Sequence, residues 1–224
     1  TIATLLVIFL VRDVSISEER RNRKVELVKD LKEALQNKGI LFTMTMFFLI
    51  QVCLMILQPL ITMYVGQLMG KVDDEAVQMA GVIFSLAGIS GIMAAPFWGK
   101  RGQRYGYVRT FCYITLGAGV VNLFQFFTTD VYQFAVVQFV FGLFLAGAIP
   151  NINANLAEVT DQSIRGKAFG LVTSAQMSGG FVGPLFGGAL GHVLPTKLVI
   201  ICAGIILISV SAFTYFTKVK VKSV

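Results

Sequence analysis

The sequence has little charge, one histidine and three cysteines, and each shortage argues against a class of protein. Of its 224 residues, 14% are charged and 55% are hydrophobic, whereas a soluble domain carries about 25% charged residues. Cys53, Cys112 and Cys202 lie inside apolar blocks without paired spacing, so neither a disulfide framework nor a metal site is indicated. His192, at the end of an apolar block, is interpreted as a wetted helix terminus and not as a proton carrier.

Motifs for catalysis are missing as well. The sequence contains no phosphate-binding loop of the Gly-x4-Gly-Lys-Ser/Thr type and no nucleophile–base pair. An intramembrane hydrolase is disfavoured because the apolar blocks hold neither a Ser–His nor a paired-Asp arrangement. We therefore expect no enzyme activity, no cofactor and no direct use of ATP.

What the sequence has instead is a series of apolar blocks, each close to the 20 or so residues that cross a bilayer as a helix. None of the blocks contains Asp, Glu, Lys or Arg. They predict an all-α membrane protein with six complete transmembrane helices. The predicted spans are Ile40–Val65, Val77–Trp98, Thr110–Phe127, Tyr132–Asn151, Ala168–Gly191 and Leu198–Phe216.

The segments outside these spans complete the predicted organisation. Residues 1–11 are apolar but too short to cross a bilayer, so we interpret them as the end of a preceding span whose beginning is missing. Residues 12–39 form a polar linker, residues 40–216 the six-helix repeat, and residues 217–224 a basic tail. Within the linker, apolar residues at helical spacing predict an amphipathic helix over Val25–Asn37, with Gly39 ending it. Such a helix lies along the cytoplasmic membrane surface, either as a linker that packs under the bundle or with a regulatory or partner-binding role.

The basic residues fall on alternate connectors. If the linker is cytoplasmic, seventeen of the nineteen lysines and arginines lie on that side, and only Lys71 and Lys197 lie on the other. This distribution follows the positive-inside rule, which predicts a multi-pass plasma membrane protein with its linker and C-terminus in the cytoplasm. It also argues against nucleic acid as a partner, because the net charge of +7 marks a membrane face and not a groove.

A glycine- and arginine-rich motif occupies the connector after the second complete span. It resembles the Gly-x-x-x-Asp-Arg-x-Gly-Arg-Arg signature of the major facilitator superfamily. The matching positions are Gly99, Arg104, Gly106 and Arg109. Gln103 stands where the family usually has Asp, which argues against a full charge relay. The resemblance implies a cytoplasmic latch that stabilises one conformation. The alternative is a basic loop that only sets topology.

A second motif lies in the fifth complete span. Its glycines and proline are similar to the Gly-x8-Gly-x3-Gly-Pro-x2-Gly-Gly antiporter signature of drug-exporting facilitators, and they are Gly170, Gly179, Gly183, Pro184, Gly187 and Gly188. Glycines four residues apart let a neighbouring backbone approach, and Pro184 removes the hydrogen bond to the Gly180 carbonyl, which predicts a kink. The resemblance implies a bendable, rocking helix. Static glycine packing is the alternative.

Glu158 and Arg165 both lie in the predicted cytoplasmic connector that precedes the fifth complete span. In facilitators, an acid at this place bonds the arginine of the first motif, so the resemblance implies a Glu158–Arg104 ion pair. The alternative is a solvated loop pair with little energetic effect.

Uncharged polar and soft side chains recur on one face of two spans. Glutamine is unfavourable against lipid and normally faces protein or a watery cavity. The candidate cavity residues are Gln51, Met55, Gln58, Thr62, Phe134, Gln138 and Phe141. Weaker candidates are Asn122, Asn151, Asn153, Asn155 and Gln176. The alternative is that these amides form hydrogen bonds between helices.

Taken together, the chain is similar to the second six-helix repeat of a twelve-span drug:proton antiporter. The resemblance implies that it works with an N-terminal six-helix half in the bilayer and exports small amphipathic or cationic drugs. Because the six spans hold no titratable acid, the proton-coupling acid is expected in that other half. A nutrient or metabolite facilitator and a non-transporting membrane scaffold or sensor remain alternatives.

Overall fold

A computed structural model describes residues 36–71, 73–162 and 164–222, with side chains as far as residue 217. The helices are α1 (Lys38–Met69), α2 (Asp74–Tyr105), α3 (Tyr107–Phe124), α4 (Val131–Leu145), α5 (Ala148–Val159), α6 (Arg165–Val193) and α7 (Thr196–Lys222). A short 3-10 turn, Gln125–Phe127, follows α3. These ranges contain no strand, so the prediction of an all-α fold is confirmed.

Five of the six predicted spans each fall on one long helix, counting α3 with its 3-10 turn, and the fourth falls on α4 and α5 together. Within the described ranges, five segments are long and apolar enough to cross a bilayer: α1, α2, α3 with its 3-10 turn, α4 and α5 together, and the part of α7 up to Thr217. The helix α6 has 29 residues, about 43 Å at 1.5 Å per residue. It is less apolar because many of its positions are glycine or serine.

The start of α1 corrects the predicted linker boundary. Asn37 is the N-cap, and its side-chain oxygen accepts hydrogen bonds from the backbone N–H groups of Gly39 (2.9 Å) and Ile40 (3.3 Å). The prediction that Gly39 ends a preceding helix is therefore wrong, since Gly39 lies in the first turn of α1. The predicted amphipathic helix Val25–Asn37 lies outside the described residues except for its last two positions, as does the segment 1–11.

The start of α2 is fixed by charged side chains. The Asp73 carboxylate accepts a hydrogen bond from the Ala76 backbone N–H at 3.1 Å, which lowers the pKa of Asp73. Lys71 pairs with Asp73 at 3.6 Å and also with Glu75. These groups lie beyond the apolar span, so they mark where α2 leaves the hydrocarbon region.

The core of the bundle forms around α1. This helix packs most extensively on α6 and also contacts α2, α5 and α7, while α3 packs on α7 and α2 on α4. Amides join several of these pairs: Asn122 Nδ2 donates to the Ile200 carbonyl at 2.6 Å, and Asn155 Nδ2 donates to Thr43 Oγ1 at 3.0 Å. Asn122 and Asn155 are buried. Their geometry favours the alternative interpretation, in which the amides form hydrogen bonds between helices.

Basic residues mark the two ends of the bundle differently. The basic end carries Lys100, Arg101, Arg104 and Arg165, and the opposite end carries Lys71 and Lys197.

Candidate functional site

A cavity of about 410 Å³ opens between α1, α2 and the α4–α5 pair. Its lining is apolar apart from two glutamine side chains, and among the described residues none that lines it is charged. The lining residues are Leu54, Met55, Leu57, Gln58, Ile61, Phe84, Ala87, Gly91, Gln138, Phe141, Gly142, Leu145, Ala146, Ala148 and Ile149. A concave, mostly apolar site with a few polar groups is typical of small-molecule binding.

Four of the seven candidate cavity residues meet in this cavity. Met55 and Gln58 lie on α1, and Gln138 and Phe141 face them from α4. Gln58 is exposed whereas Gln138 is only 3% exposed. The two helices therefore bring together the polar faces that the periodicity placed on each of them.

The other three candidates lie outside the lining. Gln51 Oε1 accepts a hydrogen bond from Gln176 Nε2 at 3.3 Å, which joins α1 to α6. Phe134 is fully buried, with its ring centroid 5.0 Å from that of Tyr64. Thr62 is half-buried on α1 and does not line the cavity.

The wall contributed by α2 was not predicted. It consists of Phe84, Ala87 and Gly91, and none of these carries a polar side chain that would distinguish it in an apolar span. Close packing holds α2 there, because a Cβ at Gly142 of α4 would lie 2.7 Å from the Ala87 carbonyl oxygen. The sequence feature from which this wall could have been found is the glycine that faces it from α4, Gly142.

A polar network holds Gln138 at the edge of the cavity nearest the opposite end. Gln125 Nε2 donates to Gln138 Oε1 at 2.7 Å, and both side chains are buried. Thr128 Oγ1 donates to the Gln125 carbonyl at 2.7 Å and also contacts Tyr64 Oη at 3.1 Å. Lys197 Nζ donates to the Thr128 carbonyl at 3.3 Å. Gln125, which was not predicted, could have been found as a glutamine at the end of an apolar span.

The predicted fourth span, Tyr132–Asn151, is broken in the structure. The chain turns between α4 and α5, where Gly147 N bonds to the Phe144 carbonyl at 3.4 Å, three residues back. Pro150 has no N–H to continue the helical pattern. The helix then continues to Val159, eight residues beyond the predicted end.

The side chain of Trp98 packs on this break and supplies a hydrogen bond to it. Its indole Nε1 donates to the Leu143 carbonyl at 2.7 Å, and Asn151 Nδ2 donates to the Gly147 carbonyl at 2.7 Å. A Cβ at Gly147 would lie 2.5 Å from Trp98 Cβ, so the ring packs directly against the backbone of the break. Buried carbonyls freed by a helix break need such partners.

We expect Trp98→Phe to lower stability by about 1–3 kcal/mol, because the Leu143 carbonyl would lose its indole donor. The melting temperature of the purified protein should fall, as measured by size-exclusion chromatography after heating. Tyr113→Phe removes a polar group from a half-exposed ring and serves as the control. Equal melting temperatures for the two variants would contradict the assignment.

The first motif forms the end of a helix and not a connector. The structure extends α2 through Tyr105, so Gly99, Gln103 and Arg104 are helical, and the prediction of a loop over these positions is wrong. The end of the apolar span at Trp98 does not end the helix, because the backbone hydrogen bonds of a helix form in water as well as in lipid. The turn itself is Gly106, whose φ of 90° favours glycine, and Arg109 lies exposed in the first turn of α3.

Arg104 and Glu158 both lie in the described part of the chain, and no ion pair joins them there. The Arg104 guanidinium lies over the Tyr105 ring, 5.4 Å from its centroid, while Glu158 is exposed near the end of α5. Arg165 Nη2 donates to the Ala157 carbonyl at 3.0 Å. Arginine is favourable at a helix C-terminus, so Arg165 stabilises the end of α5. The expected Glu158–Arg104 contact is not made in this conformation.

The glycines of α6 divide into two groups. A Cβ would lie 2.7 Å from the Phe48 carbonyl oxygen at Gly179, 2.5 Å from Met55 Cβ at Gly183 and 3.0 Å from the Ile56 carbonyl oxygen at Gly187. At Gly170 and Gly188, nothing lies within 4 Å of that position. The first group faces α1 at close range, and Pro184, which is exposed, lies within the continuous helix.

These observations define the class of protein first: a polytopic α-helical membrane protein with a mostly apolar cavity between its helices. The described residues contain no group of three or more His, Cys, Asp or Glu that could hold a metal ion. Residues 72–224 match the sequence profile of the Major Facilitator Superfamily. The chain therefore belongs to this superfamily of membrane transporters.

Individual relatives agree with the family. The chain is 29% identical over 189 residues to the uncharacterized MFS-type transporter YuxJ of Bacillus subtilis, a match covering 84% of this chain and 48% of the relative. It is 32% identical over 162 residues to the multidrug resistance protein MdtG of Serratia proteamaculans, covering 71% and 39%. With MdtG of Escherichia coli the identity is 31% over 144 residues, covering 64% and 35%. The chain thus spans about half the length of the curated relatives it matches, or less.

Proposed function

We propose that this chain is the second six-helix repeat of a multidrug exporter that binds lipophilic or cationic amphipathic compounds. The observation that carries the proposal is the cavity in which Met55 and Phe141 supply apolar contact and Gln58 and Gln138 supply uncharged polar groups. Methionine and aromatic side chains adapt to ligands of different shape. Two of the relatives cited above are multidrug resistance proteins, which supports the same assignment.

In this proposal the cavity forms one side of a binding site at the membrane midplane, and an N-terminal six-helix half forms the other. Export then proceeds by alternating access, in which one half rocks against the other. The α1–α6 pair moves as a unit because its backbones are in close contact at Gly179 and Gly183. The Gly99–Arg109 segment acts as a latch at the basic end, and the Arg104–Glu158 contact forms in another conformation.

The energy source in this proposal is the proton gradient. Uphill transport by protons needs a titratable group within the membrane, and the six predicted spans contain no acidic residue. The coupling acid therefore lies in the N-terminal half. In this proposal the protein lies in the plasma membrane, and the positive-inside rule supports a cytoplasmic location for the basic end.

The test is drug export by the product of the complete gene. We expect Gln58→Ala combined with Gln138→Ala to increase ethidium accumulation in energised cells to the level of cells lacking the transporter, because both polar groups of the cavity are removed. The control combines Gln78→Ala with Gln133→Ala, two exposed glutamines outside the cavity.

Each result separates the proposal from its alternatives. Export lost in the first variant and retained in the control supports a drug site in this cavity. A wild-type protein that exports no ethidium or related dye, and changes no drug tolerance, would contradict the proposal and favour a scaffold or a nutrient facilitator.

A further inference from the structure

The Gln138 amide at the edge of the cavity is oriented by a neighbouring side chain. We infer that Gln125 fixes the Gln138 amide so that it presents N–H donors to the cavity, and that a compound with a hydrogen-bond acceptor binds more tightly than a compound of the same shape without one. The inference rests on the proposed function, since it names the chemistry of the ligand that this cavity holds.

The first step is the geometry of the pair. Gln125 Nε2 donates to Gln138 Oε1 at 2.7 Å, and the two side chains are 1% and 3% exposed. A primary amide has one acceptor oxygen and one donor nitrogen. With its oxygen bonded to Gln125, Gln138 directs its NH2 group elsewhere, and Gln138 lines the cavity.

The second step is the rigidity of Gln125. The carbonyl of Gln125 accepts hydrogen bonds from the Thr128 hydroxyl at 2.7 Å and from the Thr128 N–H at 3.2 Å, which closes the 3-10 turn after α3. Thr128 is held in turn by Tyr64 Oη at 3.1 Å. The Gln125 carbonyl is therefore held by two hydrogen bonds from Thr128, and the Gln125 side chain extends to Gln138 from a fixed backbone.

The third step is the surroundings of the donor. The described residues that line the cavity carry no charge, and the second polar side chain, Gln58, is exposed on the opposite wall. In apolar surroundings, a hydrogen bond that is made contributes more, and a polar group left unpaired costs more, than in water. A ligand carbonyl facing Gln138 pairs with the N–H donor, whereas a ligand N–H at the same place meets another donor.

Three tricyclic compounds of nearly equal size form the probe set: fluorene has no polar group, fluorenone has one carbonyl acceptor, and carbazole has one N–H donor. Dissociation constants are measured with radiolabelled compounds on the purified product of the complete gene in lipid nanodiscs. For the wild type we expect fluorenone to bind roughly three- to tenfold more tightly than fluorene, and carbazole to bind no more tightly than fluorene.

Two substitutions test the role of the pair. Gln138→Leu should bring the fluorenone-to-fluorene affinity ratio to about one, because the donor is gone. Gln125→Leu should lower the same ratio while leaving fluorene binding unchanged, since the Gln138 amide can then turn either atom towards the cavity. Unchanged fluorene binding also shows that the variant is folded. Gln133→Leu alters an exposed glutamine in the first turn of α4 and should keep the wild-type ratio.

The inference is overturned if carbazole binds the wild type as tightly as fluorenone, if fluorenone does not bind, or if Gln125→Leu keeps the wild-type ratio. Its failure is distinct from failure of the proposed function. Ethidium export that persists in the wild type while the ratio is insensitive to Gln125 and Gln138 removes only the inference about acceptor-bearing ligands. If the wild type also fails to export ethidium, the proposed function is removed as well.

Discussion

Replacing Gly183 with alanine should push α6 away from α1 and abolish the proposed drug export. The added Cβ would lie 2.5 Å from Met55 Cβ and 2.9 Å from the Val52 carbonyl oxygen. Backbone atoms cannot rotate away as the end of a flexible side chain can, so the helices themselves must move. Since Met55 lines the cavity, this movement also displaces one wall of the proposed drug site.

Two opposing effects decide the sign of this prediction. Alanine is a better helix former than glycine by about 1 kcal/mol, which would stabilise α6. Overpacking of a close contact destabilises by about 1–3 kcal/mol, and sometimes more. Because the overlap at Gly183 involves a carbonyl oxygen and a Cβ close to the backbone of α1, we expect the packing effect to win and the melting temperature to fall.

Gly188→Ala is the matched control, because it places the same change on the same helix where nothing lies within 4 Å. We expect it to leave ethidium export intact and to keep or raise the melting temperature. Both variants are compared by heating and size-exclusion chromatography and by dye accumulation in cells. Equal behaviour of the two variants would show that the α1–α6 contact is not needed.

The membrane architecture could be predicted because a bilayer restricts the sequence strongly. A span must keep charge out over about 20 residues, and this constraint is local, so hydropathy alone located α1, α2, α3, α6 and α7. Helical periodicity was similarly sufficient to place Met55 and Gln58 on one face of α1. Both signals can be read within one segment of chain, without knowledge of its neighbours.

What could not be predicted depends on contacts between distant segments. Gln51 and Gln58 share a face of α1, yet Gln51 bonds to Gln176 on α6 and Gln58 opens on the cavity. The two residues lie about 10 Å apart along the helix, and periodicity within α1 does not report which neighbouring helix faces each of them. The break between α4 and α5 was also missed. Pro150 is a local signal for it, but Trp98, whose indole donates to the carbonyl freed there, lies 45 residues from Leu143 in sequence.

The glycines of the first motif show the same limitation. The family resemblance pointed to Gly99, but nothing lies within 4 Å of a Cβ built there, whereas a Cβ at Gly102 would overlap Asn151 of α5. The close approach of α2 to α5 therefore occurs at Gly102. The importance of a glycine depends on which atoms face it from a neighbouring helix. The motif spacing alone does not reveal those neighbours.

Gly142→Ala should have a comparably large effect at the cavity itself. The added Cβ would overlap Ser90 Oγ and would lie 2.7 Å from the Ala87 carbonyl oxygen and 3.1 Å from Ala87 Cα. Gly142 and Ala87 both line the cavity, so separating α2 from α4 changes its shape directly. We expect at least about tenfold weaker ethidium binding, which corresponds to 1.4 kcal/mol, and a lower melting temperature.

A second glycine of the cavity, on α2, provides the control for this prediction. Gly91 also lines the cavity, but a Cβ there would lie 3.6 Å from Ala146 Cβ, an ordinary contact, so Gly91→Ala should bind ethidium nearly as the wild type does. Adding Ser90→Ala to Gly142→Ala removes one of the two obstacles and leaves the Ala87 backbone in place. We therefore expect partial recovery, because the carbonyl oxygen still forces the helices apart. Full recovery in the double variant would show that the serine hydroxyl, and not the contact between the backbones of α2 and α4, determines the shape of the cavity.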